Sequence, residues 1–83
     1  MSEEVGKGKV IDVMNNYNIS DIVVKGKFFT AKLDDKNDFD KVKKLGKFDV
    51  KLNSGRMLFD CEIDNQTLSE EGCIIRGYFV KFE

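Results

Sequence analysis

The residues of this chain best suited to chemistry are basic and aromatic. Lys25 and Lys27 flank Gly26 and run straight into Phe28 and Phe29, and Arg56 and Arg76 follow in later alternating segments. Lysine and arginine neutralise phosphates or carboxylates while aromatic rings stack on planar groups, which is how small barrels hold single-stranded nucleic acid. Upstream, the stretch "NISDIVVKGKFF" carries Asn18 and Ser20, short polar side chains that hydrogen-bond a turn or a ligand. Asn18, Ser20, Lys25, Lys27, Arg56 and Arg76 are therefore the candidate ligand- or partner-binding residues, with Phe28 or Phe29 as the aromatic companion. With 14 basic and 15 acidic side chains, no broad field draws the chain to a polyanion. Any such contact has to come from a local patch. The competing reading places these charges on outward strand positions and the phenylalanines in the core.

Other chemistries lack their residues. Histidine is absent, which removes the commonest general base and a frequent metal ligand. Cys61 and Cys73 form no CxxC pair, and two cysteines alone cannot complete a four-ligand structural zinc site. The acidic run from Asp34 to Asp40 fails as a calcium loop. With Asp35 in first place, Phe39 falls where an oxygen ligand belongs and no glycine stands sixth. Asp60, Glu62 and Asp64 alternate along one segment, as acids on a solvated strand face do. The chain reads as noncatalytic, without a metal or cofactor.

At 83 residues the chain fits one domain, of a size that buries only about 60–65% of its unfolded surface and is thinly stable. Hydrophobic residues at 41% and charged residues at 35% suit a folded soluble domain. The opening "MSEEVGKGK" lacks the apolar centre of a signal peptide, and no run approaches the ~20 apolar residues of a membrane span. The expected address is cytoplasmic, with no membrane association. Cys61 and Cys73 then read as reduced thiols packed in apolar segments. The glycosylation patterns at Asn18 and Asn65 have no meaning there.

These residues have to be positioned by strands. Residues 1–8 are polar and glycine-containing and read as a flexible segment, leaving residues 9–83 as a single small barrel domain. "KVIDVM" predicts a short strand ending in the turn-formers "NNYN". "DIVVKGKFFTAKL" predicts one long bent strand or two, cut by "KGK". Phe39, Val42 and Leu45 recur at helical spacing, with acids before, lysines after and Gly46 beyond, so a helix is predicted from Asn37 to Leu45. Alternation then returns. Phe48, Val50 and Leu52 share a face, "NSG" makes a hairpin in which Gly55 takes the left-handed position, and Phe59, Cys61 and Ile63 share a face. In the closing "CIIRGYFVKFE", a bulge at Gly77 groups Cys73, Ile75, Tyr78, Val80 and Phe82 inward and turns Arg76 outward. The predicted core includes Val50, Leu52, Cys61, Ile63, Ile75, Val80 and Phe82. The fold class is mainly β: a small antiparallel β-barrel of five or six strands with one short α-helix between the early and late strands, closed because closure hides sheet edges.

Taken together, "NIS…GKFFTAKL…LGKFDVKLNSGRMLFDCEI…CIIRGYFVKFE" resembles the PilZ domain family over about residues 18 to 83. That family carries a D/N-x-S-x-x-G signature, then strands beginning near G-x-F, G-x-x-V-x-L and G-x-G-V-x-F. Asn18 and Ser20 match the first. Gly26 with Phe28 or Phe29, Gly46 with Val50 and Leu52, and Gly77 with Val80 and Phe82 match the others. The resemblance implies a barrel with a cyclic di-GMP site. This chain departs from it in two places: Val23 stands where the signature has glycine, and no arginine precedes Asn18, so the family's paired arginines are missing. Lys7 and Lys9 are poor substitutes, because only a planar guanidinium both stacks and grips in two places. "VKLNSGRML" and "IIRGYFVKF" also resemble the hairpin and closing strand of Sm-like RNA-binding barrels. The function expected is a noncatalytic interaction module, a degenerate PilZ-like barrel docking onto a protein partner, with weak or no cyclic di-GMP binding. The alternative is an Sm-like or OB-like barrel binding single-stranded RNA or DNA.

Overall fold

The computed structural model describes residues 2–64 and 73–83. Its strands are β1 (Ser2–Ile11), β2 (Asn16–Lys25), β3 (Phe28–Leu33), β4 (Phe48–Leu52), β5 (Met57–Ile63), β6 (Ile74–Tyr78) and a short β7 (Lys81–Phe82). Between β3 and β4 a 3-10 turn, Lys36–Asp38, leads into α1, Phe39–Lys43. The strands pair antiparallel in the order β4-β1-β2-β3-β6-β5, and β4 also pairs with β5. The sheet therefore closes on itself as a six-stranded barrel, which leaves its paired strands without an open edge. β7 continues past β6 along β5.

The core is what the alternating segments predict, with the phase altered in places. Val10, Ile19, Ile22, Phe29, Leu33, Val50, Leu52, Leu58, Cys61 and Ile75 are buried inside the ring, and Phe39 and Val42 of α1 join them where β3 ends and β4 begins. Leu45 packs partly buried against that cluster. Asp35 caps the turn, its carboxylate accepting a 2.9 Å hydrogen bond from the Asn37 amide, which satisfies one of the orphan donors of a helix start. The predicted helix is thus present, split into a 3-10 and an α segment.

Several local expectations need correction. Residues 2–8, read as flexible, belong to β1: Ser2 pairs with Lys25, Glu3 with Val24 and Glu4 with Val23. Their polar composition reflects a strand segment exposed on both faces as far as Lys7, with only Val5 half-buried, and β2 is long enough to pair along the whole strand. The "KGK" break is a two-residue hairpin turn that joins two strands, with Gly26 at φ +59 and Lys25 paired to Phe28. That left-handed φ suits glycine. The irregularity in β2 sits earlier, at Asp21 (φ +50), where the register against β3 shifts and both Ile19 and Ile22 turn inward.

β5 behaves in the same way. Asp60 (φ +55) carries the irregularity against β4, so Leu58, and not Phe59, shares the inner face with Cys61 and Ile63. In β6 the expected bulge at Gly77 is absent. Ile75, Gly77 and Phe79 alternate inward, while Tyr78 is 41% exposed and Val80 61% exposed. The change of phase comes later, at Val80 and Lys81, after which Phe82 turns partly inward opposite Leu58. Gly77 is buried on the interior side, where a Cβ would meet the Glu62 carbonyl oxygen at 2.5 Å and the Phe29 ring at 2.8 Å. Its missing side chain is the space Phe29 occupies.

Three substitutions check this packing. Gly77→Ala forces an added carbon against backbone and a packed ring, a strain of about 1–3 kcal/mol. Leu52→Ala opens a cavity at a cost of ~2–5 kcal/mol. Val80→Ala, at the surface, is expected to stay within ~0.5 kcal/mol of the parent. Urea unfolding of the three variants measures the ranking, and a Val80→Ala loss equal to that of Leu52→Ala contradicts the observed phase of β6.

Candidate functional site

The candidate site is the outer face of β2, β3 and β6. Backbone register sets its rows: Lys25, Phe28 and Tyr78 align across three strands and meet Glu62 of β5, and the next row is Val23, Thr30 and Arg76. Ser20, Lys32 and Ile74 form a third row. Directly paired side chains on one sheet face lie within contact distance. Each residue owes its place to the turn at Gly26, the irregularity at Asp21 and the inward Gly77.

Arg76 lies over Phe28, its Cζ 4.6 Å from the ring centroid. Phe28 meets Tyr78 edge-on, with centroids 6.3 Å apart and planes at 81°. The Tyr78 hydroxyl donates a 2.8 Å hydrogen bond to Glu62 Oε2. That bond, reinforced by the Glu62 charge, holds the phenol above its ordinary pKa, because the carboxylate stabilises the protonated hydroxyl. Lys27 Nζ donates to the Val80 carbonyl at 3.3 Å, and the Phe79 amide donates to the Lys27 carbonyl at 3.0 Å, tying the β2–β3 turn to the end of β6. Beside Phe28 a groove of about 660 Å³ runs between Val23, Lys25, Lys27, Thr30 and Arg76.

The face is also where most of the exposed large apolar side chains gather. Phe28 (40%), Ile74 (36%), Tyr78 and Val80 all lie on or beside it, whereas Val13 and Met14 stand apart in the β1–β2 turn. Single exposed apolar residues are ordinary, and their grouping on one face is what makes it the candidate site.

Of the residues singled out from sequence, Lys25, Lys27 and Arg76 line the groove. Phe28 is the aromatic companion, and Phe29 is core. Ser20 borders the face one row beyond Arg76. Asn18 lies further along β2, paired with Lys9, its carbonyl accepting from the Asp34 amide at 3.1 Å. Arg56 is engaged elsewhere, 2.8 Å from Glu3 and 3.8 Å over the Phe82 ring. Sequence reasoning missed Tyr78, Ile74, Val80 and Val23. The signal for the first three is strict alternation through Ile74, Arg76, Tyr78 and Val80, which the bulge placed at Gly77 obscures.

Away from this face, Cys61 and Cys73 are free thiols, buried and half-buried respectively. Burial, with the nearby Asp49 carboxylate adding to it, pushes the Cys61 thiol up to about 12. Among the described residues no group of histidine, cysteine or acidic side chains is arranged to hold a metal ion, and no helix is long and apolar enough to cross a membrane. Comparison with protein-family profiles, curated proteins and solved structures finds no match.

Two titrations follow from this geometry. In a Tyr17→Phe background, Glu62→Gln is expected to lower the Tyr78 pKa followed by phenolate absorbance, and an unchanged pKa means that the 2.8 Å bond does not persist in solution. For Cys61 the folded-state pKa lies above its ordinary value of 9.0, so the neutral thiol favours the fold fully below pH 9 and that contribution is lost as pH rises toward 12. Denaturant unfolding across that range is expected to show a steeper stability loss in the parent than in Cys61→Ala. Equal slopes overturn the burial argument.

Proposed function

We propose that this chain is a noncatalytic interaction module, a degenerate PilZ-like barrel that docks onto a protein partner through the outer face of β2, β3 and β6. The observation that carries the reading is the cluster of exposed Phe28 and Tyr78 with half-buried Arg76, flanked by Ile74 and Val80 on a closed sheet. Aromatic residues and arginine dominate the energetics of protein interfaces, and a central group of them ringed by apolar contacts is how such sites are built. A rigid strand face also loses little conformational freedom on binding.

Cyclic di-GMP binding is weak or absent in this reading. The ligand's two guanines and two phosphates call for converging stacking groups and donors, each charge-assisted hydrogen bond contributing ~1.5–3 kcal/mol. No arginine precedes Asn18, and Arg56 is held by Glu3 and Phe82. Single-stranded RNA or DNA is the second reading, favoured by Lys25 and Lys27 beside Phe28. Against it, Arg76 already covers that ring.

A photo-crosslinking amino acid at Thr30, in the central row of the face, tests the docking reading in the cells from which the chain derives. A specific protein adduct from position 30, absent when the probe sits at Lys51 on β4 and lost with Phe28→Ala, is the expected result. Truncating a central interface residue costs ~2 kcal/mol or more, about a 30-fold loss of affinity. Equal adducts from both positions, or adducts to nucleic acid alone, overturn it.

A further inference from the structure

The charges around the groove indicate what kind of protein surface fits it, an inference that rests on the docking reading above. Among the described residues no carboxylate lies within 4.0 Å of Lys25, Lys27 or Arg76, as for most cations of the chain, and these three are set apart by lining one groove together with Phe28. Arg76 Cζ stands 4.6 Å from the Phe28 ring centroid, which places the guanidinium beside the groove. The N–H donors lie in the guanidinium plane, and an acceptor with two oxygens matches their fork. Val23, Phe28, Ile74, Tyr78 and Val80 supply apolar area next to these cations.

We propose that the segment bound here is an acidic stretch of a partner protein carrying an apolar or aromatic anchor. The anchor packs in the groove of about 660 Å³ beside Val23 and Phe28. Flanking carboxylates engage Lys25 and Lys27 and pair with the edge of Arg76. A phosphate backbone is the poorer fit for two reasons. The formal charge of the chain is −1 and Glu62 stands in the same row as Lys25 and Phe28, so the extended positive field that nucleic acid binding draws on is missing. The aliphatic side chains at Ile74 and Val80 also offer no planar surface on which a base would stack. A carboxylate needs only its nearest cations, which act within a Debye length.

Panning a library of random short peptides against the full chain, with counter-selection on a Lys25→Glu/Arg76→Glu variant, tests the assignment. The expected yield is peptides in which Asp or Glu flanks an apolar or aromatic residue. Replacing those acids by Asn or Gln is expected to weaken binding about tenfold or more, the loss of at least one charge-assisted contact. Rescue is expected when basic peptides meet the Lys25→Glu/Lys27→Glu variant. Circular dichroism shows whether each variant is folded, and Lys25→Ala with Lys27→Ala serves as a second pair if charge reversal disrupts the sheet. Enrichment of neutral or basic peptides that still depend on Phe28 overturns the acidic assignment while leaving the docking reading in place. No face-dependent peptide, with an oligonucleotide bound and released by Arg76→Ala, overturns both in favour of nucleic acid. No binding by any probe also overturns the assignment.

Discussion

The contact between the Phe29 ring and Gly77 fixes the phase of β6. Phe29 points inward from β3, and across the pair from it β6 has no side chain, so the ring fills the space a Cβ would take. On the far side the same position lies against the Glu62 carbonyl of β5, so any side chain there is met from both neighbours. Because side chains on a strand alternate, an inward Gly77 commits Ile75 and Phe79 to the core and Arg76 and Tyr78 to the outside. The candidate binding face exists because that one position is glycine.

Closing a barrel from six strands also requires bends, and this chain places one at Gly6 (φ +81) in β1 and two at aspartates. Asp21 and Asp60 both adopt left-handed backbone conformations, and each accompanies a register shift that changes which residues face inward. Aspartate tolerates that region better than branched or bulky residues do. The Asp60 amide donates to the Asp49 carboxylate at 3.2 Å, which steadies the bend in β5. On the partner side the chain answers the bend with its own change of phase at Val80 and Lys81, so Leu58 and Phe82 meet again beyond it. Closure and core filling are thus solved together.

The face that results is held by a short chain of contacts. Glu62 fixes the Tyr78 hydroxyl, Tyr78 meets Phe28 edge-on, and Phe28 carries the Arg76 guanidinium. Each is a modest surface interaction. Their joint effect is to order four side chains before any partner arrives. An ordered arginine loses less freedom on binding than a mobile one. The nearly neutral chain thereby presents a local cationic and apolar surface that its overall charge conceals.

Much of the architecture was legible in the residues themselves. Alternation in Phe48, Val50 and Leu52, the helical spacing of Phe39, Val42 and Leu45, and glycines at the hairpins state local periods and turns, which depend on backbone geometry and nearest neighbours alone. The barrel class follows, since short alternating strands need closure to enclose a core. Lys25, Lys27 and Arg76 were recognisable as candidates by type. Sequence could not settle which of them converge. Arg56 and Arg76 look equivalent along the chain, yet one is drawn to Glu3 and Phe82 and the other to Phe28. Nor could it place the phase of β6, because a glycine in a strand marks a bulge or a close approach equally well. Only the partner strand decides between them: Phe29 across the sheet needed the room at Gly77, and a contact between residues so far apart in the chain is set by strand order and register, which local sequence does not encode.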